Sequence, residues 1–116
     1  MKSLATITEK DIEIIKMALN DSISDMNSEL KEEMAEKKRV ALLDYKNKYS
    51  KVYVKLRQNP SIYSLSEAEL DITAGGLNDA IQLIEENLTD DLTDQEREEI
   101  LTYKRTCNSL VELLAG

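Results

Sequence analysis

The chain has 116 residues, 41% hydrophobic and 33% charged, with a net charge of −8, no histidine and one cysteine. That balance fits one folded domain spanning 1–116 and excludes a disordered chain, an intrachain disulfide, a multi-cysteine metal site and every Ser-His or Cys-His nucleophile pair. No apolar run reaches the ~20 residues of a membrane span, and no signal-peptide stretch follows Met1-Lys2-Ser3, so a cytoplasmic protein without membrane contact is expected.

The charge is unevenly spread. Residues 37–58 carry eight Lys or Arg against one acid, Asp44, for a local +7, while the sequence before them sums to −5 and that after them to −10. A basic segment lies between two acidic ones.

In chain order, Thr8 is placed to cap the free amide of Asp11, and Ile7 to pack on Ile12, at the start of a first helix. Ile12, Ile15, Leu19, Ile23, Met26, Leu30 and Met34 then recur at helical spacing. The series continues by elevens through Tyr45 and Leu56, the register of a nearly straight helical seam. Nothing between Glu32 and Arg39 is a helix breaker. Residues 8–58 therefore read either as one rod of about 75 Å, at ~1.5 Å per residue, or as two helices joined by a tight connection at Glu36 to Arg39.

The basic segment has two apolar stripes. Leu42, Tyr45, Tyr49, Val52, Tyr53 and Leu56 form one, and Val40, Leu43 and Val54 fall opposite, with lysines between. Apolar residues on two sides predict a helix seated in the middle of a bundle or at a subunit contact, its lysines paired with carboxylates of the acidic helices around it. Asn59-Pro60 ends it.

Ser66 and Glu69 form a capping box, flanked by Leu65 and Leu70, and Leu70, Leu77, Ile81, Ile84 and Leu88 supply the next apolar face. Gly75-Gly76 interrupts that face. Each glycine costs about 1 kcal/mol against alanine inside a helix, so the pair marks a kink, a break or a close approach by another helix. A second box, Thr93 with Glu96, opens a last helix faced by Ile100, Tyr103, Cys107, Leu110, Val111 and Leu114. Short connections make neighbouring helices antiparallel. The expectation is an all-α antiparallel bundle without β-sheet, with helical segments at about 9–35, 38–58, 67–88 and 94–114.

Little in the chain supports catalysis. Without histidine the commonest general base and transition-metal ligand are gone, and Gly75-Gly76 has neither the following lysine nor the preceding strand of a phosphate loop. The acid-rich run from Asp90 to Glu99 lacks the Asp-x-Asp-x-Asp-Gly spacing of a calcium loop, and carboxylates in a first helical turn need no ion. Cys107 reads as a core thiol, with Lys104 and Arg105 as the neighbours able to activate it.

The sequence thus points to a non-enzymatic protein with no cofactor and no metal, an accessory, adaptor or inhibitor that works through another protein or through self-association as a homodimer. The expected contact residues are Ile12, Leu19, Ile23, Met26 and Leu30 if the first helix is exposed, with Val40, Leu43 and Val54 next. Two other readings stay open. The basic, tyrosine-bearing segment resembles a nucleic-acid surface. The acidic helices suggest a mimic of a phosphate backbone, with Glu85, Glu86, Asp90 and Asp91 as its carboxylates.

Overall fold

Both predicted capping boxes form, the predicted Thr8 cap proves to be a third, and together they set where three of the four helices begin. The computed structural model describes residues 4–115, so Met1-Lys2-Ser3 lie outside it. Helix α1 runs Glu9–Glu29, α2 Glu36–Gln58, α3 Glu67–Asn87 and α4 Asp94–Ala115, with short 3-10 turns at Leu4–Thr6 and Ile62–Ser64 and no strand among the described residues. The Thr8 hydroxyl accepts from the Asp11 amide at 3.1 Å, and the Asp11 carboxylate accepts from the Thr8 amide at 3.0 Å. The same reciprocal pairs join Ser66 to Glu69 and Thr93 to Glu96. Each box satisfies two amides that an open helix end would leave bare.

Helix α2 alone begins without a side-chain cap, on Ala35. The chain does fold back between the first two helices, which rules out the continuous rod. It does so across residues 30–35 and not at Glu36 to Arg39, which form the first turn of α2. No glycine or proline makes this bend. Instead Arg39 reaches back from α2, donating from Nη1 to the Leu30 carbonyl at 2.9 Å and from Nη2 to the Glu32 carbonyl at 3.1 Å. A guanidinium on the free carbonyls at a helix C-terminus satisfies both hydrogen-bonding need and dipole.

Successive helices run antiparallel. Tyr49 and Lys55 of α2 meet Asp79 and Glu69 of α3, and Glu85 of α3 meets Lys104 of α4. The Lys55 ammonium and the Ser66 amide hold the Glu69 carboxyl below its usual range. Its contribution to stability is present above the ordinary carboxylate pKa and is lost as pH falls through the lowered one.

A single core cluster gathers Ile12, Ile15, Leu19 and Met26 from α1, Tyr49, Val52 and Leu56 from α2, Leu77 and Ile81 from α3, and Cys107, Leu110 and Leu114 from α4. The longest dimension is 43 Å and the radius of gyration 14.8 Å, close to the ~13 Å expected of a compact chain of this length.

Gly75-Gly76 does not break α3, which runs through both positions, and neither glycine has a positive φ. The pair marks a close approach. A Cβ on Gly76 would sit 2.6 Å from Leu19 Cδ2, and the buried Ser22 hydroxyl of α1 donates to the Gly76 carbonyl at 3.0 Å. With Ala18, Ala74 and Ala80 also buried, small residues let α1 and α3 pack as the inner pair. Helix α2 packs on both of these helices from one flank, and α4 packs on the same pair.

This corrects the placement of the basic helix, which is an outer element and not the middle of the bundle. Its second stripe holds only three apolar side chains, interrupted by Asn47, Ser50 and Lys51, and all three of Val40, Leu43 and Val54 are exposed. The seam between α1 and α3 combines longer apolar rows with a glycine at the closest point, so it takes the interior.

Candidate functional site

The structure divides the expected contact residues into two sets. Ile12, Leu19 and Met26 lie in the core, Ile23 is half-buried against it and Leu30 is half-buried at the end of α1. The condition under which the first helix was to carry a contact is therefore not met, because α2, α3 and α4 of the same chain cover that ridge. Val40, Leu43 and Val54 are 57%, 41% and 50% exposed.

On a helical wheel Val40, Leu43, Asn47, Lys51 and Val54 fall on one outward stripe of α2, opposite the core residues Tyr49, Val52 and Leu56. Asn47, Ser50, Lys51, Val54 and Lys55, with Glu69 of α3, line a shallow groove along it. The stripe is bordered by basic residues. Of these, Lys48 pairs within the helix with Asp44 at 3.0 Å and Lys55 crosses to Glu69 at 2.7 Å. Arg39 is engaged by carbonyls and Arg57 lies over the Tyr53 ring. Lys37, Lys38, Lys46 and Lys51 have no partner among the described residues. The expected pairing of the basic helix with its acidic neighbours is thus largely absent, since Lys55 alone reaches a carboxylate on another helix. An outer helix turns most of its lysines away from the acids behind it.

The tyrosines do not share one environment. Tyr49 is buried and donates its hydroxyl to Asp79 Oδ2 at 2.7 Å, Tyr53 is half-buried, and Tyr45 is exposed. Tyr45 and Tyr49 stand 6.3 Å apart with their planes at 51°. Burial, followed by the Asp79 carboxylate, pushes the Tyr49 hydroxyl far above its usual pKa, so it remains a donor across the physiological range.

Of the proposed phosphate-mimicking carboxylates, Glu85 is paired with Lys104 at 3.1 Å, while Glu86, Asp90 and Asp91 are exposed. Among the described residues no group of three or more His, Cys, Asp or Glu is placed to hold a metal ion, and no helix is long and apolar enough to cross a membrane.

Cys107 is buried, as its place on the apolar face implies, but Lys104 and Arg105 do not activate it. Lys104 is turned to Glu85 and Arg105 to Glu98, and burial pushes the thiol up to about 11. At pH 8 the thiolate fraction is then about a thousandth. A chromogenic disulfide reagent should leave Cys107 unmodified in the native protein and titrate it fully in denaturant. Rapid native labelling would show that the α4 face opens.

The principal site feature that sequence reasoning missed is a half-open groove of about 560 Å³ between α1, α2 and α3, where Tyr45, Tyr49, Gly75 and Asp79 meet. The glycine pair was its only signal. A comparison with protein-family models, curated proteins and solved structures finds no match to this chain.

Proposed function

We propose that the protein is a binding module that takes an acidic, amphipathic segment of another protein across the outward face of α2. The observation that carries this reading is the coincidence of exposed Val40, Leu43 and Val54 with unpaired Lys51 on one stripe, bordered on its two sides by unpaired Lys37 and Lys46. A partner with apolar residues along its centre and Asp or Glu along its edges covers the first set and neutralises the second. Exposed apolar groups supply the burial, and flanking charge supplies steering and register. A symmetric dimer across the same face would set the lysines of two copies against each other. The occupant is therefore a different, acidic protein, and the role is that of an accessory, adaptor or inhibitor.

The nucleic-acid reading makes a separable prediction on the same surface, because phosphate contacts use the lysines and not the valines. A synthetic acidic amphipathic helical peptide, titrated by fluorescence anisotropy, should bind at low salt. The paired change Val40→Ser and Val54→Ser should weaken it about tenfold, equivalent to ~1.4 kcal/mol, with circular dichroism unchanged. No binding, or binding indifferent to the serines, would overturn the proposal. Single-stranded DNA that binds equally well with the serines but is lost on Lys46→Glu with Lys51→Glu would replace it.

A further inference from the structure

Residues 30–35 join two helices with none of the residues that ordinarily end one or begin the next. Leu30-Lys31-Glu32-Glu33-Met34-Ala35 holds no glycine or proline and no Ser, Thr, Asp or Asn. Helix α1 closes on Leu30 at φ −65° and ψ −16°, still a right-handed helical conformation, and α2 opens on Ala35 without a side-chain cap. The charges are also set against two helix ends. The last turn of α1 contains Glu29 and no base, while Lys37, Lys38 and Arg39 make three of the first four residues of α2 basic. A helix C-terminus favours cations and an N-terminus anions, so this sequence is wrong for both ends and indifferent inside one longer helix.

The same segment meets the requirements of continuous helix. The apolar register crosses it by elevens, through Ile12, Ile23, Met34, Tyr45 and Leu56. The Leu30 and Glu32 carbonyls, held in the bend by Arg39 at 2.9 Å and 3.1 Å, would in a helix accept from the Met34 and Glu36 amides. The uncapped amides at the start of α2 would find carbonyls one turn back. Within one chain straightening is excluded, because it lifts Ile12, Ile15, Leu19 and Met26 out of the core. Between two chains it is not.

The place that α1 would leave is shaped for α1. Gly76 admits Leu19 where a Cβ would sit 2.6 Å from Cδ2, and its carbonyl accepts from the buried Ser22 hydroxyl at 3.0 Å. A second copy brings identical side chains, so each of these contacts is remade between chains, and the two states differ only in the hinge and in the entropy of association. We infer that residues 30–35 are a hinge with a second, helical state, in which α1 of each of two copies docks on α2, α3 and α4 of the other, and that Arg39 is the latch holding the monomer. This contact is separate from the outward stripe of α2. Because α1 must leave the core before it changes chains, the two forms interconvert slowly.

The test is sedimentation velocity with small-angle X-ray scattering on the full chain, refolded from urea at concentrations from micromolar to millimolar. A slowly interconverting dimer of twice the 13.2 kDa chain is expected. Its longest dimension should exceed the 43 Å of the monomer and reach at least about 75 Å, the length of a helix over residues 9–58 at ~1.5 Å per residue. Arg39→Ala should raise the association constant about tenfold or more. Ala35→Pro separates this dimer from any other. Proline fits the φ of −59° that Ala35 has in the bend, whereas in a continuous helix it removes an amide and clashes with the preceding turn. That variant should keep the monomer's circular dichroism and lose the dimer, while Val40→Ser with Val54→Ser should leave the dimer unchanged. A chain that stays monomeric at every concentration, a dimer that survives Ala35→Pro, or one that the two serines abolish would overturn the hinge.

Discussion

Leu19→Ala should lower the free energy of unfolding by about 3 to 4 kcal/mol, and Gly76→Ala by about 1 to 2 kcal/mol, yet the two together should cost less than their sum. Leu19 is fully buried, and large-to-small changes at such positions lose both transfer energy and packing. At Gly76 the added methyl overpacks the seam, since Leu19 Cδ2 would stand 2.6 Å away. Truncating Leu19 removes that obstacle, so the second methyl enters vacated space and adds the helix preference of alanine, worth about 1 kcal/mol. In the Leu19→Ala background Gly76→Ala should therefore stabilise, giving a coupling of about 2 to 3 kcal/mol in a urea-denaturation cycle. Additive costs would mean that α1 and α3 do not meet at this point.

Two valines on α2, separated by one residue, should behave as opposites. Val52 is 1% exposed and Val54 is 50% exposed. Val52→Asp places a carboxylate in the core with no cation to meet it, a change expected to cost more than about 4 kcal/mol and to unfold the protein. Val54→Asp faces solvent between Lys51 and Lys55 and should shift stability by no more than about 0.5 kcal/mol. Melting followed by circular dichroism distinguishes them directly. Similar losses at both positions would restore α2 to the interior of the bundle.

That pair also shows where reading the chain succeeded and where it could not. Local chemistry was legible, because Thr8 with Asp11, Ser66 with Glu69 and Thr93 with Glu96 act over three residues and form the predicted caps. The apolar rows of α1, α3 and α4 likewise led to an all-α bundle of antiparallel helices. What the rows do not carry is rank. Both stripes of α2 have helical spacing, and whether Val40, Leu43 and Val54 are covered depends on competition with other helices for interior seats. At the seam that takes the interior, Gly76 lets α3 approach Leu19 and Ser22 of α1 closely, a long-range match that no periodicity within α2 carries. The start of α2 was misplaced because Ala35 offers no cap and the bend at 30–35 depends on Arg39, a residue past the bend and invisible to any rule about breakers. Of the candidate site, the lysines and valines of α2 were named from the sequence. The acidic groove was not, since Asp25, Tyr45 and Asp79 come together only when three helices do.

The guanidinium that folds α1 back on α2 makes this hairpin conditional. Where a proline would forbid the extended alternative, two hydrogen bonds merely outcompete it, and nothing in the intervening sequence resists becoming helix. Without Arg39, at high protein concentration, α1 of one molecule gains a route to the vacated seat in another. The contacts along the α1 and α3 seam would then be remade between chains, producing an exchanged dimer.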